Sequence, residues 1–255
     1  MQRLVPLLIA VAAAGSATAQ DFNWSGRLTS GQTLEVRGVN GSVDAVAASG
    51  TEARVTARKV EGRRGNADEV EIITRAVAGG MVICVVYPGN DPEQACPPDG
   101  RGRHNVRDND VSVHFQIEVP AGVTLKAHTV NGDVDVRNVG GDVEAHSVNG
   151  DVQVSTAGLA RASTVNGSLR VRMGRADWTN EAEFSTVNGS VTLELPEGLA
   201  AEFRAETVNG EIDSDFPVTI RGRFGPRRAT GTIGGGGDRQ LTIRTVNGSI
   251  ILRRA

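Results

Sequence analysis

Residues 125–136 read LKAHTVNGDVDV and residues 143–154 read VEAHSVNGDVQV, one pattern displaced by 18 positions. The central Val-Asn-Gly occurs seven times, with its Asn at Asn40, Asn131, Asn149, Asn166, Asn188, Asn209 and Asn247. Serial self-similarity at about this period is the signature of a repeat protein. The flanks keep phase. Six and four positions before the Asn stand apolar or small residues, as in Leu125 and Ala127 or Leu241 and Ile243. Three and five positions after it come pairs such as Val134 and Val136 or Val191 and Leu193, and two positions before it six of the seven copies carry Thr or Ser. Period-two alternation on both sides of a turn predicts short strands with one buried face.

Two architectures fit. Asn-Gly between alternating runs signals a tight hairpin, because a type I′ turn needs positive φ at both central residues and Asn tolerates that region. That favours an antiparallel hairpin meander or sandwich. Against it, no segment beyond the first 20 residues has helical periodicity, so a one-faced sheet of this many strands has only itself to cover it. In a β-solenoid, coils of about 20 residues stack at roughly 4.8 Å, two faces close on one core, and equivalent residues form ladders. Ladders account for the recurrence of Thr, Val, Asn and Gly at fixed offsets. The expected fold is therefore all-β, a β-solenoid or β-helix-like repeat array, with the meander or sandwich as alternative. An outer-membrane barrel is rejected: the strands are short, aromatics are 4% of residues, and the chain ends Arg253-Arg254-Ala255 without an aromatic girdle.

The N-terminus reads as a secretory signal, residues 1–19: Arg3, an apolar stretch from Leu4 to Ala14, then small residues ending Ala17-Thr18-Ala19. Cleavage there leaves 236 of the 255 residues, with 26 Lys and Arg against 30 Asp and Glu, a net charge of −4. No later apolar run is long enough for a transmembrane helix, and no Cys stands at the cleavage point to take a lipid. The expected location is outside the cytoplasm, in the periplasm or at the cell surface. The charge does not suggest nucleic acid as a partner. Cys84, in an apolar strand-like run, and Cys96, in a Pro-rich loop, are expected to pair in an oxidising compartment, two free thiols being the alternative. On the chain-entropy model such a loop contributes roughly 3 kcal/mol.

The organisation expected is an N-terminal β region over 20–118, bearing the disulfide strand and loop, continuous with a Val-Asn-Gly solenoid over 119–255. Strand signals fall at Val70–Val77, Met81–Tyr87 and Val111–Val119, and Pro88–Asp110 reads as loop. The 38-residue gap from Asn209 to Asn247 accommodates two units, one of them degenerate and broken by Gly234–Gly237.

Each candidate site has a plainer reading beside it. Asp133, Asp142 and Asp151 follow turn glycines at nine-residue intervals and could line one edge as an oxygen ladder for Ca²⁺. Ser168, Ser190, Glu211 and Ser249 share the offset of Asp133 and Asp151, however, so the position asks only for a polar residue. His128 and His146 share an offset three before the Asn and would stack one coil apart, as a transition-metal pair or a charge-tuning pair near pH 6. The same offset elsewhere holds Ser163, Ser185, Glu206 and Arg244, an outward-facing row. No metal or cofactor is expected. Asn23, Asn40, Asn166, Asn188 and Asn247 match the N-glycosylation sequon, four of them through turn chemistry alone. Arg221, Arg223, Arg227 and Arg228 read as a solvated loop, and Gly234–Gly237 as plain loop. The chain contains no G-x-S-x-G elbow, no H-E-x-x-H and no phosphate-binding glycine loop, so no enzyme is expected.

The Val119-Pro120-Ala121-Gly122 opening, the serial T-V-N-G-x-V/I units and the closing LTIRTVNGSIIL at 241–252 resemble the "putative adhesin" family of bacterial β-strand-repeat proteins, a domain of unknown function. The resemblance implies an exported, β-helix-like, non-catalytic protein and leaves the ligand open. The leading expectation is adhesin-like binding of a surface glycan or envelope protein, because a repeat presents equivalent side chains at a fixed pitch. Two other readings are a structural module self-associating through open solenoid ends, the last carried by Ser249–Leu252, and a carbohydrate-active β-helix enzyme using Asp133 and Asp151.

Overall fold

The computed structural model describes residues 22–98, 102, 105–178, 181–221 and 226–255, with backbone alone at 220 and 221. The signal segment lies outside the described residues. The strands are, in chain order, β1 (Phe22–Arg27), β2 (Thr33–Arg37), β3 (Val43–Ala47), β4 (Glu52–Val60), β5 (Glu71–Val77), β6 (Gly80–Val86) and β7 (Ser112–Val119), then β8 (Thr124–His128), β9 (Val134–Val139), β10 (Val143–His146), β11 (Val152–Thr156), β12 (Ala160–Ser163), β13 (Leu169–Met173), β14 (Ala182–Ser185) and β15 (Val191–Leu195). The last six are β16 (Ala201–Asn209), β17 (Ile212–Ser214), β18 (Thr219–Arg221), β19 (Arg227–Ile233), β20 (Gln240–Asn247) and β21 (Ile250–Arg254). A single helical turn, α1 (Pro92–Ala95), interrupts the long loop between β6 and β7.

The strands form two long sheets. The front sheet runs β1-β4-β7-β3-β9-β11-β13-β15-β21-β17, and the back sheet β18-β19-β16-β20-β14-β12-β10-β8-β2-β6-β5. Each Val-Asn-Gly separates a back strand from a front strand, so its two flanks never pair with one another. The pairing is parallel and between coils: β8 with β10, β10 with β12, β9 with β11 and β11 with β13. This is the solenoid, and the antiparallel meander is excluded. The alternating apolar residues of both sheets meet in one continuous core. Back-sheet positions there include small Ala127, Ala145, Ala160, Ala162 and Ala182, and front-sheet positions the larger Val134, Val136, Val154, Leu169 and Val171, all nearly or fully buried.

Of the two uses expected for the tripeptide, hairpin turn and solenoid ladder, the structure shows the ladder. None of the seven Asn has positive φ; among described non-glycine residues only Asp108 and Asn138 do. The Asn residues instead form an amide ladder, each Nδ2 donating to the Oδ1 of the next coil: Asn131 to Asn40 at 2.8 Å, Asn149 to Asn131 at 2.8 Å, Asn166 to Asn149 at 2.7 Å, Asn188 to Asn166 at 2.8 Å, Asn247 to Asn188 at 2.8 Å and Asn209 to Asn247 at 2.7 Å. The preceding Thr or Ser is buried and donates to a neighbouring glycine carbonyl, as Thr164 Oγ1 does to Gly150 O at 2.9 Å and Thr245 Oγ1 to Gly189 O at 2.8 Å. The glycine is required by contact between coils. A Cβ on Gly167 would lie 2.0 Å from the Gly150 carbonyl oxygen, and one on Gly248 would lie 1.9 Å from that of Gly189. Beyond Asn40 the ladder meets Tyr87, whose buried hydroxyl donates to Val111 O at 2.6 Å.

Coil order in space departs from chain order at both ends. The β2–β3 coil lies between β6–β7 and β8–β9, and the C-terminal β20–β21 coil lies between β14–β15 and β16–β17. The gap before Asn247 therefore holds no degenerate coil. It holds β19, which extends the back sheet antiparallel to β16, and β18, antiparallel in turn to β19. At the other end β4 extends the front sheet antiparallel to β7, β1 pairs antiparallel with β4, and β5 pairs antiparallel with β6. Ser249–Leu252, expected at an open end, is enclosed between β15 and β17. No helix among the described residues is long and apolar enough to cross a membrane.

Gly167→Ala should destabilise the protein by roughly 3 kcal/mol, at the upper end of overpacking costs, because the clash is with backbone. Chemical denaturation measures it, and an effect below about 0.5 kcal/mol would contradict the contact account. Removal of residues 240–255 should also free residues 201–233, since β16 and β17 reach the other coils only through β20 and β21. Limited proteolysis of the truncated chain should then cut throughout 201–233 while 33–195 resists.

Candidate functional site

Ladders on the outer faces follow from strand register, because every second residue points outward. On the back sheet, Arg37, His128, His146 and Ser163 fall in one row. The two imidazoles stack, ring centroids 5.0 Å apart and 18° from parallel. His146 bonds Ser163 Oγ at 2.5 Å and Glu144 Oε1 at 3.0 Å, while His128 Nε2 lies 3.8 Å from Glu35 Oε1 without a hydrogen-bond partner. Arg37 is buried beneath the disulfide loop, with Nε on Glu35 Oε1 at 2.6 Å and Nη1 on Pro97 O at 2.8 Å. The expected bond joins Cys84 and Cys96, and α1, which ends at Cys96, carries that loop onto β6.

The acidic ladder is not one site. Asp133 Oδ1 accepts the Asp151 N–H and Asp151 Oδ1 accepts the Ser168 N–H, both at 2.8 Å, so this offset serves the coil-to-coil backbone. Ser190 and Ser249 N–H groups are met by Ser168 and Ser190 hydroxyls in the same way. Asp142 sits at the opposite corner, accepting from Leu159 N–H and from Arg175 Nη1, both at 3.0 Å. Among the described residues no cluster of three or more His, Cys, Asp or Glu is placed to hold a metal. At the sequons of Asn166, Asn188 and Asn247 the amide nitrogen is spent within the ladder. Arg227 and Arg228 pair with Glu211 at 3.4 Å and Glu206 at 2.6 Å, and Arg223 lies outside the described residues. Gly234–Gly237, all at positive φ, form the turn between β19 and β20.

Two surfaces were not legible in the motif. One is a stripe of corner valines beside the Asn ladder: Val130, Val148, Val165, Val187, Val246 and Val208 are 37–41% exposed, whereas Val39 is buried. The other is a groove of about 850 Å³ on the outer front sheet, crossing β1, β4, β7, β3 and β9. Asn23 and Ser25 form one bank, Arg54, Thr56, Gln116 and Glu118 the floor, and Asp44, Val46 and Arg137 the other bank. Arg54 lies 3.6 Å from Glu118 and 3.9 Å from Glu52. Arg137 is bonded to Asp135, which raises its pKa, and it also faces Asp44, itself held by Ser42 Oγ at 3.1 Å. Asp44 and Asp135 are register partners, two like charges side by side that Arg137 relieves. Alternation marks these residues as outward-facing, but no sequence offset shows that β1 and β4 fold back beside β7.

Burial pushes the His128 imidazole down to about 4, and the neighbouring His146 and Arg37 add to the effect against Glu35 and Glu144. Glu144 is held down to about 2, chiefly by its hydrogen bond from His146 and further by Lys126. Unfolded His titrates near 6.5, so the unfolded chain takes up a proton that native His128 refuses. Stability should therefore fall as pH drops from about 6.5 to about 4, by at most roughly 3 kcal/mol from this group. A further loss follows as Glu144 protonates below its ordinary range. Urea unfolding of the wild type and His128→Gln at pH 7 and pH 4.5 tests this. The variant should lose less stability on acidification, and an equal loss would assign the sensitivity elsewhere.

Among solved structures, a "putative cell adhesion protein" from Clostridium sporogenes is similar with a TM-score of 0.48 and 10% identity, over 92% of this chain and 99% of that one. A "putative adhesin" from Bacteroides fragilis is similar with a TM-score of 0.36 and 11% identity, over 91% and 96%. None of the curated protein sequences matches the chain. The family model described as Toastrack DUF4097 matches residues 116–253, from the middle of β7 through β21 and so across more than half of the chain. With its parallel coils, two-sheet core and serial Val-Asn-Gly corners, this chain belongs to the Toastrack DUF4097 family.

Proposed function

We propose that the protein is an exported, non-catalytic, adhesin-like scaffold whose outer front sheet binds an extended partner of the cell envelope or surface. The groove across β1, β4, β7, β3 and β9 carries this reading. It offers side chains of several kinds at the interstrand spacing, about 4.8 Å, on four strands paired on both sides and an edge strand, β1, paired to β4. Weak contacts repeated at fixed pitch sum on a polymeric or multivalent partner. Export is supported by the Cys84–Cys96 bond, a linkage typical of oxidising compartments, together with the signal-like N-terminus. We take residues 20–118 and 119–255 to act as one body, since the β2–β3 coil is paired on both sides within the array.

Cosedimentation of the purified mature chain with envelopes of the cells that make it tests the proposal. Wild-type protein should be retained saturably. Paired substitution of Arg54→Ala and Glu118→Ala, which empties the groove floor while leaving the core untouched, should lower retention several-fold. No retention, or retention indifferent to the pair, would overturn it.

A further inference from the structure

Resting on the reading of the groove as a binding face, we infer that its ligand is an uncharged polyhydroxylated chain, a neutral glycan, lying across the strands. The first observation is charge balance. The lining carries two guanidinium groups, Arg54 and Arg137, and two carboxylates, Asp44 and Glu118, and each cation already faces carboxylates. Glu52 and Asp135 add negative charge beside them. An acidic polymer would meet carboxylates at every step. A basic one would have to displace Arg54 or Arg137 from acids they already neutralise. A hydroxyl needs neither exchange, because it donates to a carboxylate and accepts from a guanidinium with both left paired.

The second observation is the remaining lining. Asn23 and Gln116 supply amides with both a donor and an acceptor, Ser25 and Thr56 supply hydroxyls, and exposed Val46 offers an apolar contact of the size presented by one face of a sugar ring. An extended peptide fits poorly. β4, β7, β3 and β9 have their backbone groups paired on both sides, so a peptide lying across them would find no ladder to join, β1 alone keeping a free edge, and Val46 alone cannot supply alternating side-chain pockets. The third observation is length. Five strands at about 4.8 Å span about 19 Å, a track for a short run of sugars with one polar row under each.

The test is titration calorimetry of the mature, oxidised chain with neutral oligosaccharides of increasing length, set beside uronic-acid and glucosamine oligomers. Neutral chains should bind, with affinity rising until the ligand spans the groove and unchanged when ionic strength is raised well above physiological. Gln116→Leu and Asn23→Ala should each weaken binding about tenfold, the loss expected when a charged or amide partner is removed. Arg172→Leu, farther along the same face on β13, should have no effect, and thermal melts confirm that all three variants fold. Salt-sensitive binding of the charged oligomers alone, or neutral binding indifferent to Gln116 and Asn23, would overturn the inference. If envelopes retain the protein through the groove while every glycan fails, the binding face stands and its ligand is a protein.

Discussion

Close approach of backbone to backbone at the Val-Asn-Gly corner is the constraint on which the rest of the structure depends. Strands of three to nine residues are too short to hold two sheets in register alone. At the corner each coil is tied to the next by several bonds within five residues: the Thr or Ser hydroxyl to a glycine carbonyl, the Asn amide to the next amide, and the N–H two beyond the Asn to a side-chain oxygen. All of these need the coils to touch, and only glycine allows it. Because each amide both gives and receives, the ladder strengthens as coils are added, which suits a fold whose stability is a sum of neighbour interactions.

The ends of the array solve a different problem. A parallel stack leaves open edges, which are templates for unwanted pairing. Here each sheet at the N-terminal end, and the back sheet at the C-terminal end, is finished by antiparallel strands, and the front sheet ends on the three-residue β17. The first and last coils in chain order, β2–β3 and β20–β21, are threaded one coil inward, so β3 and β21 have partners on both sides. The same finishing strands make the groove proposed as the binding surface. β1 and β4 widen the front sheet beyond its first coil, and the groove lies across that widened part.

The outer faces spend much of their charge on pairing between and within strands. Many outward ionic residues are spent on neighbours, as with Arg253 against Asp213 and Asp215, or Arg244 against Glu183. Half-exposed pairs of this kind contribute little to stability but keep like charges on successive coils from meeting. The His128–His146 stack shows the cost of a ladder built from titratable groups, since a second imidazole one coil away adds to the burial that opposes a charge on His128. In the groove, the two guanidinium groups are already paired with carboxylates, and the amides and hydroxyls beside them keep hydrogen-bonding capacity.

The sequence by itself determined the solenoid, the buried and exposed alternation of every repeat strand, the equivalence of the seven corners and the partners of the two cysteines. Those properties are local or periodic, and periodicity survives in one dimension. It left two readings open where one dipeptide has two uses. Asn-Gly is a hairpin turn when φ is positive and a ladder corner when a neighbouring coil abuts it, and nothing within the tripeptide distinguishes them. Only the tertiary structure decided that β20–β21 enters between earlier coils, that Asp142 stands at the opposite corner from Asp133 and Asp151, and that Asn23, Arg54, Gln116 and Arg137 line one groove. Each depends on contacts between segments far apart in the chain, whose pairing is chosen by which strand edges remain free once the array has formed.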